Sequence, residues 1–150
     1  MSSKSVISAA GVDVQFLIDA EDSGGEATAF MTRVSPGGDT LPAHSHDWDE
    51  TMCVIDGTLT FVIDGTTSEV SAGNAVFIRR GQVHTYENLT SADSSMLIVS
   101  TPGLNHESYF SSVADVLNSG AEGARDRDQR IRALMGQYGV VPAPTAVTER

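Results

Sequence analysis

One cysteine, Cys53, leaves no partner for an internal disulfide, so a packed core must hold the fold and a reducing compartment is expected. Positive charge is scarce too. Nine Lys and Arg stand against 20 Asp and Glu, a formal net charge of −11, and the basic residues are scattered. Without a basic stripe, neither nucleic acid nor an anionic membrane surface is expected as a partner. Long apolar runs are absent as well: even the stretch from Val54 to Asp64 is cut by Asp56 and Gly57, so no membrane span is expected. The opening segment lacks the apolar centre of a signal peptide, and the expectation is a soluble cytoplasmic protein. At 150 residues the chain has room for one domain, which can bury roughly two-thirds of its unfolded surface without a metal or disulfide staple.

What is present is a rhythm. From Val12 to Thr101, short runs rich in Val, Ile, Phe and Thr alternate with Gly, Asp, Ser and Pro, the pattern of an all-β domain. Strands are expected near Val12–Asp19, Ala27–Val34, Leu41–His46, Glu50–Ile55, Thr58–Ile63, Thr66–Val70, Ala75–Ile78, Val83–Asn88 and Ser95–Ser100. Asp56-Gly57 and Asp64-Gly65 tolerate the positive φ of tight hairpins, which predicts a three-stranded meander from Glu50 to Val70. So many short antiparallel strands must close into a barrel or jelly roll to limit free edges. After Pro102-Gly103 the spacing changes to threes and fours, and two amphipathic helices are expected near Glu107–Leu117 and Asp128–Tyr138. The whole is read as one domain: a barrel over about 12–101, a helical tail over about 106–139, and a loose end over 140–150.

Three of the four histidines lie in the β region. His44 and His46 are two apart, so on a strand they project from one face. A short irregular stretch brings Glu50 back to that face, and His84 completes the set. Imidazoles with one carboxylate suit divalent iron, manganese, nickel, copper or zinc. The expected ligands are His44, His46, Glu50 and His84, with Glu50 also a candidate general base. Residues alternating with Glu50 should face inward, which places Met52 and Val54 in the interior, together with Tyr86. Phe61 is a further candidate for the lining, as are Phe30, Met31, Phe77, Met96 and Ile98. Arg33, a lone cation in an apolar strand, is a candidate anchor for a substrate carboxylate or phenolate. Cys53 should point away from the site, and His106 is expected to be an exposed cap or helix-start residue.

These segments resemble the cupin superfamily. Gly38, His44, His46, Glu50 and Gly57 meet every fixed position of its first motif. Gly73, Gly81, His84 and Asn88 meet the second, where Arg79 stands in place of the usual proline. The resemblance implies a jelly-roll (double-stranded β-helix) barrel enclosing a metal held by the three imidazoles and the carboxylate, with open positions for water, substrate or dioxygen. It also implies a homodimer. Three functions are compatible with it. The first is a metal-dependent dioxygenase, similar to the flavonol (quercetin) dioxygenases, acting on a small aromatic or enolisable molecule with iron, manganese, nickel or copper. The second is a cyclase or isomerase, of the zinc-dependent kind found in polyketide biosynthesis, that uses no oxygen. The third is a non-catalytic module binding metal or a small ligand.

Overall fold

The computed structural model describes residue 4 and residues 6–38, 40–120 and 123–144. Eleven strands and two helices follow in order: β1 (Val6–Ala9), β2 (Val12–Ile18), β3 (Thr28–Val34), β4 (His44–His46), β5 (Asp49–Asp56), β6 (Thr58–Ile63), β7 (Thr66–Ser71), β8 (Ala75–Ile78), β9 (His84–Glu87), β10 (Ser94–Thr101), α1 (His106–Asn118), α2 (Ala124–Gln137) and β11 (Val140–Pro142). They form two antiparallel sheets, one ordered β1-β2-β3-β10-β5-β8 and the other β11-β4-β9-β6-β7. This is the expected mostly-β jelly-roll architecture with two C-terminal helices.

Alternation builds the core. Thr28, Phe30, Thr32 and Val34 on β3, Glu50, Met52 and Val54 on β5, and Ser94, Met96, Ile98 and Ser100 on β10 are all buried, and the residues between them are less so. The register sets Ile98 between Phe30 and Met52, so three adjacent strands offer one continuous apolar face to Leu59 and Phe61 of the opposing sheet. A second cluster, including Trp48, Tyr109, Val113, Ile131, Met135 and Val140, seats both helices over one end of the sandwich. Among the described residues no helix is long and apolar enough to cross a membrane.

Three expectations about the chain path need correction. The Glu50–Val70 segment is not a three-stranded meander, because β5 and β6 belong to different sheets. Asp64-Gly65 does make the expected hairpin, with φ of +48° and +81°. Asp56-Gly57 instead turns a corner between sheets. Gly57 has φ +78°, and a Cβ there would collide with Ser94 Oγ. That hydroxyl accepts from the Thr58 N–H and donates to the Thr58 carbonyl, so only glycine lets the corner close onto β10.

The second correction concerns the loose end. Val140–Pro142 pair with β4, Val140 opposite His46, because Gly139 at φ +77° turns the chain back from α2 onto an open strand edge. Residues 145–150 of that expected tail lie outside the described residues. Thirdly, β1 was not anticipated; Ala10 and Gly11, both at positive φ, fold it back on β2.

Arg79, in place of the motif's proline, occupies the first position of a turn closed by the Gln82 N–H on the Arg79 carbonyl, with Gly81 at φ +89°. Its own N–H donates to Gln82 Oε1 at 2.9 Å, a bond that proline could not make. The turn that leads into His84 is therefore held by hydrogen bonds.

Candidate metal centre and substrate cleft

Backbone geometry aims the three histidines. His44 and His84 are direct cross-strand partners on β4 and β9, and His46, two residues beyond His44, shares its face. Glu50 comes from the other sheet, where its neighbours across β5 are Ser100 and Ile78. The link through Asp47 and Trp48 crosses between sheets, which is how four residues so close in sequence converge from opposite walls.

Each imidazole is tied at one nitrogen. Nδ1 of His44 donates to the Pro42 carbonyl at 2.6 Å, that of His46 to the Trp48 carbonyl at 3.0 Å, and that of His84 to the Gln82 carbonyl at 2.9 Å. A carbonyl accepts only, so the proton of each neutral ring sits on Nδ1 and the lone pair on Nε2. One ring nitrogen from each of the three lies within 4.8 Å of the others. Glu50 Oε1 contacts His46 Nε2 and stands 3.7 Å from His84 Nε2, yet neither Nε2 has an aligned hydrogen-bond donor. Lone pairs and a carboxylate converging in a buried site make an electron-rich centre that fits a divalent cation, and the carbonyl-bound Nδ1 atoms are the usual outer support of histidine ligands.

Burial pushes the Glu50 carboxyl up, but the His46 and His84 rings, when a proton on Nε2 lets them donate to it, outweigh burial and hold the group well below the usual carboxylate range. Burial, with the nearby His84 ring, pushes His44 down to about 4. His106 is likewise pushed down to about 4, chiefly by burial. Both histidines bind a proton more weakly in the fold than at their ordinary value of 6.5. As the pH falls through that window the unfolded chain takes up more protons, and stability drops by about 1.4 kcal/mol per pH unit for each histidine. Thermal unfolding of the metal-free protein should accordingly shift steeply downward between pH 6.5 and 4; a flat profile there would contradict the neutral burial of these rings.

The centre forms one wall of a cleft whose lining includes Phe30, Met52, Tyr86, Ile98, Trp48, His106, Tyr109 and Phe110. Met52 and Tyr86 stand where expected. Val54 and Phe61 do not line this cleft; both are packed in the core, at 1% and 0% exposure, because Val54 lies one inward step further from Glu50 and Phe61 is covered by the facing sheet. Arg33 is not an anchor. Between buried Thr32 and Val34 it alternates to the outer face and pairs with Asp13 and Asp93. Of the remaining candidates, Phe30 and Ile98 reach the cleft, Met96 is core, and Met31 and Phe77 point the other way, Phe77 being 56% exposed. Cys53 also alternates away from the site, as expected.

His106 is the main surprise. It does start α1, one residue after the Asn105 cap, but it is buried at 5% exposure and its ring faces Trp48 at 5.0 Å. The Trp48 indole in turn stacks on His46, with centroids 3.9 Å apart and planes 3° from parallel. The spacing His106, Tyr109, Val113 is that of a helix's inner face, a signal that could have placed His106 inside.

The two motifs, the jelly roll and the three-histidine centre together define a cupin. Residues 30–100 match the family model of the cupin domain, and the chain belongs to the cupin superfamily. Among solved structures it is similar to the polyketide cyclase RemF from Streptomyces resistomycificus, with 30% identity over 62% of this chain and 66% of that one and a TM-score of 0.56. A predicted oxalate decarboxylase from Thermotoga maritima matches 68% of this chain and 99% of its own at 23% identity, with a TM-score of 0.60, a likeness of fold. A curated relative, the endoribonuclease YbeY of Myxococcus xanthus (strain DK1622), is 27% identical over 78 residues, 52% of this chain. The chain spans about a quarter of that protein's length, 26%.

Proposed function

We propose that this cupin is a metal-dependent enzyme acting on a small, enolisable, oxygen-bearing molecule of aromatic character. The observation that carries this reading is the tethering of three imidazoles through Nδ1, which leaves their free nitrogens converging beside a buried, ionised carboxylate. His44, His46 and His84, with Glu50, would hold the metal. Iron, manganese, nickel, copper and zinc all suit that donor set. When bound, such an ion supplies Lewis acidity toward a carbonyl or phenolate oxygen. The chain's own residues supply the rest. Phe30, Met52, Tyr86, Ile98 and Phe110 bind an apolar ring and exclude water, while Glu50 takes the proton from the activated position.

Two reactions share these steps. In cyclisation or isomerisation the carbanion equivalent attacks or is reprotonated within the substrate; in dioxygenation it meets dioxygen. The similarity to RemF supports the oxygen-independent reaction, which we place first, with the flavonol-dioxygenase-like reaction second. A homodimer in a reducing cytoplasm belongs to the same proposal.

The deciding experiment is elemental analysis of the purified protein together with oxygen-electrode traces on a panel of flavonols and enolisable aromatic ketones. Zinc near one equivalent with substrate turnover and no oxygen uptake supports the first reaction. Iron, manganese, nickel or copper with stoichiometric oxygen uptake replaces it with the second, and failure to take up any of these metals after reconstitution overturns the enzyme reading.

A further inference from the structure

The cleft has a second polar wall, separate from the imidazole centre. Trp48 leads from β4 into β5, while His106 and Tyr109 sit three residues apart on α1 and so share a face of that helix. All three residues line the cleft and are buried, at 5%, 5% and 3% exposure. The Trp48 Nε1, His106 Nε2 and Tyr109 hydroxyl have no hydrogen-bond partner. A buried polar group left unpaired costs about 1–3 kcal/mol, and folded proteins seldom keep one without a reason. Of the other such atoms among the described residues, His46 Nε2 and His84 Nε2 belong to the candidate metal centre and Thr32 Oγ1 lies elsewhere. Trp48, His106 and Tyr109 are therefore three residues around one cleft that each carry an unpartnered buried polar atom.

Their chemistry has a common sign. An indole N–H only donates. His106 Nδ1 lies 2.9 Å from Thr28 Oγ1, and Thr28 is 1% exposed. Among the described residues that ring nitrogen is the hydroxyl's hydrogen-bond partner, and a buried hydroxyl proton needs an acceptor. Thr28 thus donates to Nδ1, and the proton of the neutral ring sits on Nε2. Burial keeps the Tyr109 phenol protonated, which makes it a third donor. Trp48 stacks on His46 and packs at a tilt of 54° against His106, which sets this wall one indole away from the metal-binding rings.

We infer that Trp48, His106 and Tyr109 bind a second oxygen of the substrate, a carbonyl, enolate or carboxylate, while a first oxygen is held at the three-histidine centre. This deepens the proposed function and rests on it: the substrate class becomes aromatic molecules with two oxygen acceptors, of the 1,3-dicarbonyl type. Loss of one donor should weaken binding about tenfold, as expected for a hydrogen bond to a partly charged oxygen.

Trp48 is the chain's single tryptophan, so its indole N–H gives one resonance in a nitrogen-15 correlation spectrum. Protein with and without zinc is titrated with benzoylacetone and with butylbenzene, the same skeleton without oxygens. The expected result is a saturable downfield shift of the indole proton with benzoylacetone alone. In Tyr109→Phe and His106→Phe the dissociation constant rises about tenfold while zinc content stays at the wild-type level. An equal shift with butylbenzene, or wild-type affinity in both variants, overturns the inference. Should one variant not fold, the comparison of the two probes on wild type still decides. The two readings fail separately. A wild-type protein that takes up no metal yet shows the selective shift refutes the enzyme and keeps the donor wall, whereas metal uptake and turnover without an indole response refutes the wall alone.

Discussion

Replacing His84 by alanine should empty the metal centre, taking bound metal from about one equivalent to less than about a tenth after dialysis. The expectation rests on how the site is built. His84 is 2% exposed, with its Nδ1 committed to the Gln82 carbonyl, so its Nε2 is presented to the centre without rotamer freedom to lose. Removing even the outer partner of a metal ligand typically costs 10–100-fold in affinity, and removing the ligand itself costs more. Turnover should fall at least about a hundredfold with it. Because the chain is long enough to fold without a metal staple, the variant should remain folded, and its circular dichroism should match that of metal-free wild type. His106→Ala provides the contrast: a buried histidine in the same cleft, outside the three-histidine group, whose loss should leave metal content unchanged. Plasma mass spectrometry on the two purified variants checks both statements. Retention of a full equivalent in His84→Ala would remove it from the ligand set.

Much of this centre was legible from spacing alone, since an i, i+2 histidine pair must share a face of a strand and the alternation from Glu50 put Met52 inside. What the sequence did not disclose was decided by contacts distant along the chain. Asp56-Gly57 and Asp64-Gly65 are the same dipeptide, yet one is a hairpin and the other a corner between sheets. The difference lies in Ser94, which meets Gly57 from across the sheet and has no local signature. Arg33 reads as an isolated cation until Asp13 and Asp93 are brought beside it. The second wall of the cleft was missed for a related reason. Trp48 lies inside the first motif but at a position the motif leaves free, and His106 and Tyr109 belong to a helix whose seat over the barrel is set by tertiary packing. The pairing of β11 with β4 was likewise invisible, because a three-residue strand that follows a glycine and ends in a proline carries too little pattern to register.

Glu50→Gln should separate metal binding from chemistry. The amide keeps the side chain's length and one acceptor oxygen but can neither carry the charge nor take a proton. In the wild type the carboxyl is held below the usual carboxylate range despite burial. In the variant the amide N–H₂ faces the same two Nε2 atoms and can donate to them, competing with a metal for their lone pairs. Affinity for zinc should therefore weaken while saturating metal still fills a substantial part of the sites. Turnover at saturating metal should fall by roughly 10²–10⁴-fold, the usual contribution of a positioned general base, with KM changed only a few-fold because the apolar lining and the donor wall are untouched. Glu50→Asp sharpens the assignment: the charge and base remain but sit one methylene further from the centre, so its rate should fall between those of wild type and Glu50→Gln. An unchanged kcat in metal-saturated Glu50→Gln would leave Glu50 a ligand only. The proton would then have to be taken by another group of the cleft.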